Sequence, residues 1–264
     1  ALTTSGESAS FSAAQDVTLT ADVSATGNNI SIVSGSSING VSVLTADSIN
    51  LNAQSGIGNI TPLVTRATLL DFTNATNDVA ITTNFAAWNV TGDAGSGNIN
   101  LNNTGGNLFL ESLLTTGNIT LDVASGSIND ANADLVNLTA NNVTLVAGNG
   151  IGADDAIETA ISSLSFSNNS ARVVQIVNSL TPSLTLKQAS NDGAAISLTQ
   201  STPGGSMLIN GELISNDGAI SLFSDNMDLN LTLDVVTGLP VGKIIAGTGA
   251  VTLSAFNSNQ SMIL

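Results

Sequence analysis

Acid–base or metal chemistry in this chain would have to come from carboxylates, because the sequence holds no His, no Cys and no Tyr. Histidine is the commonest general acid–base group, and a thiolate is required for cysteine nucleophiles, disulfides and thiolate zinc sites. Asp154-Asp155 is the one adjacent acidic pair, and Arg172 is the nearest downstream cation. Convergent carboxylates beside a cation are what a carbohydrate-cleaving site needs. The pair reads better as a solvated turn, since acidic residues are frequent there. The positions 94 residues earlier, Ile60 and Thr61, carry no carboxylate. An enzyme is not expected.

Calcium is the other use for carboxylates. Repeat-type calcium sites are dense Gly-Gly-x-Gly-x-Asp runs, and Gly204-Gly205 lacks the Asp series. No Asp-x-Asp-x-Asp loop occurs. Asp225-Asn226-Met227-Asp228 is a sparse oxygen cluster and stays as an alternative for structural calcium. Catalytic residues: none; cofactor-binding residues: none; metal ligands: none. No cofactor is expected.

Asn-x-Ser/Thr recurs at Asn29, Asn59, Asn74, Asn89, Asn102, Asn118, Asn137, Asn142, Asn168 and Asn230. These could be glycosylation acceptors. However, Asn-Ile-Thr-Leu is itself a repeating motif here, so alternating polar positions generate such triplets automatically. Trp88 and the seven Phe could form a sugar-stacking platform, but they are dispersed. Phe72 and Phe166 occupy equivalent positions of a long internal repeat, which suits a core position. Ice-binding arrays need a regular Thr-x-Thr surface. Here the middle residue varies among Ser, Asn and Thr, so that reading is a minor alternative.

The charge balance bears on partners. Four Lys+Arg stand against 20 Asp+Glu, for a formal net charge of −16. Arg66, Arg172, Lys187 and Lys243 are scattered, whereas binding phosphate needs clustered cations, so no nucleic-acid partner is expected. An anionic membrane surface is disfavoured for the same reason. No apolar run approaches ~18 residues, so membrane insertion by a helix is not expected. Charged residues make up only 9% and hydrophobic ones 42%, a composition that folds rather than stays disordered. The chain begins at Ala1 without a basic and apolar leader, so any signal peptide is expected to be absent or already removed.

The elements that would position side chains are set by repeats. The segment Ser48-Ile49-Asn50-Leu51-Asn52-Ala53-Gln54-Ser55-Gly56-Ile57-Gly58 recurs as Asn142-Val143-Thr144-Leu145-Val146-Ala147-Gly148-Asn149-Gly150-Ile151-Gly152, 94 residues on. Leu63, Thr65, Leu70, Phe72 and Asn74 fall on Ile157, Thr159, Leu164, Phe166 and Asn168 in the same register. A shorter period runs inside this superrepeat. Apolar-x-apolar triplets begin at Ile30, Ile49, Val79, Ile99 and Ile119, spaced by 19 or 20 residues except where Val79 follows Ile49. They return at Ile196, Ile220 and Val251, with wider gaps of 24 and 31.

Each triplet alternates apolar and polar, as a half-buried strand does, and Gly, Asn, Asp and Ser fill the gaps. A strand motif returning about every 20 residues favours a solenoid over a sandwich. The expected fold class is all-β: a single-stranded parallel β-helix (β-solenoid), right-handed, in coils of about 20 residues. At ~4.8 Å per coil this gives roughly 11–13 coils and ~55–60 Å. Aromatics are only 3%, which fits a narrow interior of stacked aliphatic layers. One continuous domain, 1–264, is expected.

Three features depart from the pattern. Gly56-Ile57-Gly58 and Gly150-Ile151-Gly152 are expected to be one recurring corner. The segment 154–164 has Ile157, Ala160, Ile161 and Leu164 at helical spacing. It and its counterpart at Thr61-Pro62-Leu63-Val64-Thr65 are expected to be irregular coil, with room for one helical turn in the second copy. Around 223–248 the period loosens. There Asp228–Asp234 reads as a long alternating strand and Thr237–Gly242 as a turn, so a lateral insertion is expected.

The Asn-Ile-Thr-Leu coils, the Ala-Gly-Asn-Gly-Ile-Gly corner at 147–152 and the short period resemble the β-helical repeat regions of filamentous-haemagglutinin-like exoproteins and giant microbial surface proteins. The resemblance covers nearly the whole chain and rests on composition and period. The Asn-Pro-Asn-Leu secretion motif of two-partner exoproteins is absent, so it implies a shaft or subunit. It implies a secreted protein of the cell surface, with adhesive or structural work and with glycans, copies of itself or adjoining solenoid segments as partners. The chain ends Ser261-Met262-Ile263-Leu264 without a polar cap. End-to-end stacking into a filament or sheath is therefore the alternative expectation.

Overall fold

Alternation shapes the local structure first. In Val79–Thr83, Ile99–Asn103 and Asn118–Val123 every second side chain is buried and those between face outward. The computed structural model describes residues 2–4 and 6–257, so the apolar end at 261–264 lies outside the described residues. Among the described residues there are strands and turns and no helix. The chain groups into two compact units, Ala1–Gly126 and Ser127–Leu264.

In the first unit, Val79, Ile99 and Ile119 are partners in successive parallel strands, as are Ile81, Leu101 and Leu121. A further column runs through Ala9, Ile30, Ile49, Leu70, Val90 and Leu110. All of these are buried. Each Ile, Leu or Val removed from water contributes about 1.5–3 kcal/mol, set against the entropy of ordering the chain. Strands one coil apart in sequence are thus neighbours in space, which makes the fold a parallel β-solenoid with coils of about 21 residues.

Another column changes character along the stack, from Val23 and Leu44 to Thr65, Thr83 and Asn103. Thr83 and Asn103 sit inside because the backbone supplies partners for their side chains, whereas the Thr65 hydroxyl is buried without one. The Thr83 hydroxyl donates to the Thr65 carbonyl at 2.7 Å, and Asn103 Nδ2 donates to the carbonyls of Phe85 and Gly106. Aromatics need room from the neighbouring coil. Gly92 is the partner of Phe72, and a Cβ on Gly92 would lie 2.1 Å from the ring's Cζ.

The second unit repeats the plan. Val174, Ile196, Ile220 and Val251 form one column, and Ile157, Ile176, Leu198, Leu222 and Leu253 another. Its polar corners are amide ladders. Asn178 Nδ2 donates to Gln200 Oε1 at 2.7 Å and its Oδ1 accepts from Thr159 at 2.9 Å. Asn168 Nδ2 donates to Asn191 Oδ1 at 2.6 Å. The glycine corners appear in both units: Gly56 and Gly150 have φ of +114° and +105°, and Ile57 and Ile151 each bridge to both adjacent coils.

Carboxylates staple one coil to the next. Asp16, Asp22 and Asp78 accept the backbone N–H of Ser37, Val43 and Asn98 in the first unit. Asp217 and Asp225 accept those of Thr248 and Asn257 in the second. Part of the acidity is therefore used on orphan turn donors.

Two sequence expectations need correction. The segment 154–164 and its counterpart are not irregular coil: Leu63–Arg66 and Ile157–Asn168 are strands. Ile157, Ala160, Ile161 and Leu164 do have helical spacing, but Ile157, Thr159 and Ile161 also fit period 2. Parallel partners in neighbouring coils bond the backbone along that strand and decide the case. The strand read over 228–234 ends at Leu229, and the chain leaves the coil from Asn230 onward.

Candidate functional site

One edge of the second unit widens from coil to coil. Between Ile157–Asn168 and Ser183–Asn191, Leu164 pairs with Leu186 but Ser165 pairs with Gln188, so Lys187 is the extra residue of a β-bulge. In the next coil Asn210 and Gly211 separate Ser206–Ile209 from Glu212–Ile214. In the one after, residues 230–242 separate Asn226–Leu229 from Lys243–Ile245. Ile209 pairs with Leu229 and Glu212 with Lys243, so these insertions stand at the same place in successive coils.

The largest insertion is an ordered lateral hairpin. Asp234 N–H donates to Leu239 O at 2.9 Å, Val241 N–H to Thr232 O at 3.0 Å, and Gly242 N–H to Asn230 O at 2.8 Å. Leu233 and Pro240 form an antiparallel bridge. The Asp234 carboxylate caps the tip by accepting from Val236 N and from the Thr237 N–H and hydroxyl. The backbone and side-chain hydrogen bonds of Thr237 hold that carboxyl below the usual range, so it stays an ionised acceptor. The crest is apolar, with Leu231 70% and Val235 99% exposed.

Hairpin and bulge border an open cleft of about 410 Å³. Lys187, Gln188, Asn210, Glu212, Asp234 and Lys243 bring charged and amide groups to it, and Pro240 and Val241 an apolar wall. Lys243 Nζ donates to Glu212 Oε1 at 2.9 Å, and Lys187 Nζ donates to Asn142 Oδ1 at 3.0 Å. No family model, no curated protein and no solved structure matches this chain.

The residues marked in the sequence fall mostly outside this cleft. Asp154 reaches Arg172 at 3.7 Å on the surface, a geometry worth little. Gly204 and Asp225 do come together. Asp225 is fully buried, and its Oδ2 accepts the Gly204 N–H at 2.7 Å while its Oδ1 accepts that of Asn257. Among the described residues no group of three His, Cys, Asp or Glu is arranged to hold a metal ion. Trp88, Phe72 and Phe166 are core residues. Of the Asn-x-Ser/Thr asparagines, Asn74, Asn137 and Asn168 are buried with bonded amides, so they serve the interior.

A second polar corner gathers Asp130, Asp134, Asp155 and Glu158. Glu158 Oε2 is shielded from solvent without a hydrogen-bond partner. Burial first, and the Asp130 charge second, push its pKa from 4.5 up to about 7.

Sequence reasoning located the 223–248 irregularity but not the cleft. Lys187, Glu212 and Lys243 are separated by 25 and 31 residues, outside the 20-residue period that reveals the coils. The usable signal was the growing gap between triplets, which marks where insertions accumulate.

Proposed function

We propose that the chain is a non-enzymatic structural and adhesive β-solenoid of a microbial cell surface, like the haemagglutinin-type repeat regions it resembles. The observation that carries the reading is the side-chain stapling of coil to coil. Asn168 to Asn191 and Asn178 to Gln200 run inside, and Asp217 to Thr248 and Asp16 to Ser37 outside. Such ladders add to the backbone pairing of every coil and need neither disulfide nor metal. With four Lys+Arg in 264 residues the chain also offers few sites to trypsin-like proteases. Both properties suit exposure outside the cell.

The test is antibody labelling of intact and permeabilised cells of the source. Labelling of intact cells, lost after broad-specificity protease treatment, is expected. Labelling only after permeabilisation would overturn the reading.

A second reading, end-to-end stacking into a filament or sheath, is favoured by one observation. Val251 is 47% exposed although Ile196 and Ile220 of its column are fully buried, so the last described strand presents an apolar edge that a further coil, of the same chain or of another copy, would cover. Electron microscopy of concentrated protein distinguishes them: fibres with a ~4.8 Å repeat support stacking, and dispersed particles exclude it.

A further inference from the structure

Two of the chain's four cations, Lys187 and Lys243, line the cleft beside the 230–242 hairpin, in a protein of net charge −16. Glu212 and Asp234 line it as well, so positive and negative side chains balance there. Lys187 is placed by a β-bulge, a device that re-aims a side chain at the cost of a ladder position. The facing wall is held by its own backbone hydrogen bonds, so a ligand would have little chain to order on binding.

We propose that this cleft binds a neutral oligosaccharide. Each sugar hydroxyl both donates and accepts, so it is matched by donors and acceptors in alternation rather than by one sign of charge. The donors on offer are the amides of Gln188 and Asn210 and the ammonium N–H groups of Lys187 and Lys243 beyond those given to Asn142 and Glu212. The acceptor is Glu212, since the Asp234 carboxylate is taken up by the hairpin tip. Pro240 and Val241 offer an apolar surface to a ring's C–H face. The volume of about 410 Å³ lies within the range of small-ligand sites. An anionic sugar would meet two carboxylates without excess positive charge, inside the field of an acidic protein. The inference gives the adhesive part of the proposed function its ligand class and rests on that part alone.

Saturation-transfer NMR and calorimetry on the full chain test it, with cellotriose, maltotriose and mannotriose as neutral probes and trigalacturonate as the anionic one. At least one neutral trisaccharide is expected to bind with a Kd on the order of 1 mM or tighter. The double substitution Lys187→Ala/Gln188→Ala, at two exposed positions, should weaken it at least about tenfold with an unchanged melting temperature. Replacing 231–241 with a Gly-Ser linker should abolish it. No transfer to any neutral probe at about 10 mM would overturn the proposal. So would tighter binding of trigalacturonate, or binding that survives both variants. Cell-surface labelling is independent of these results, so the structural reading stands or falls separately.

Discussion

The Oδ1 of Asn168 accepts the backbone N–H of Gly150 at 2.7 Å. Ninety-four residues earlier Asn74 makes the same bond to Gly56, also at 2.7 Å. The superrepeat therefore preserves a clamp: a glycine corner with positive φ and the buried amide that satisfies its donor.

Asn168→Ala should destabilise the protein by about 1–3 kcal/mol, because it strands a buried N–H. Asn168 also bonds Asn191 and the carbonyls of Ser170 and Arg172, so its loss should exceed that of an exposed control such as Asn59→Ala. Urea unfolding followed by circular dichroism measures both.

Gly92→Ala should cost about 1–3 kcal/mol through collision with Phe72. Phe72→Leu should relieve most of that cost in the double variant. A double-mutant cycle showing no coupling would contradict the packing of Phe72 over Gly92.

Glu158 gives a pH signature. Its folded pKa of about 7 lies above the ordinary 4.5, so the folded state holds a proton that the unfolded chain releases. Between those values stability should fall as pH rises, reaching its low plateau above pH 7. Glu158→Gln should flatten that slope and raise the melting temperature at neutral pH.

Asp217 works in the opposite sense. Hydrogen bonds from the Thr248 N–H and hydroxyl lower its pKa below 3.8. Its contribution is present above 3.8 and is lost as pH falls through the folded value. Asp217→Asn should lower stability at neutral pH, and the deficit should close in acid.

The coils were legible because their signal is local and repeated: Ile99 and Ile119 are 20 residues apart and stack as expected. The strand Ile157–Asn168 was not, because its apolar spacing satisfies helix and strand alike until neighbouring coils supply hydrogen bonds. The hairpin was half legible. Leu231 and Leu233 continue the alternation of Met227 and Leu229, yet they face solvent because the coil turns at Leu229. The cleft depends on bulge and insertion positions in three coils, which no period encodes.

Coil stacking is the central claim, and spin labelling tests it most directly because the sequence has no Cys to interfere. Nitroxides on Asn100→Cys and Thr120→Cys, outward-facing partners in adjacent coils, should lie within about 10 Å of each other. The doubly labelled chain should then give a strongly broadened continuous-wave spectrum. A spectrum equal to the sum of the two single labels would contradict the solenoid.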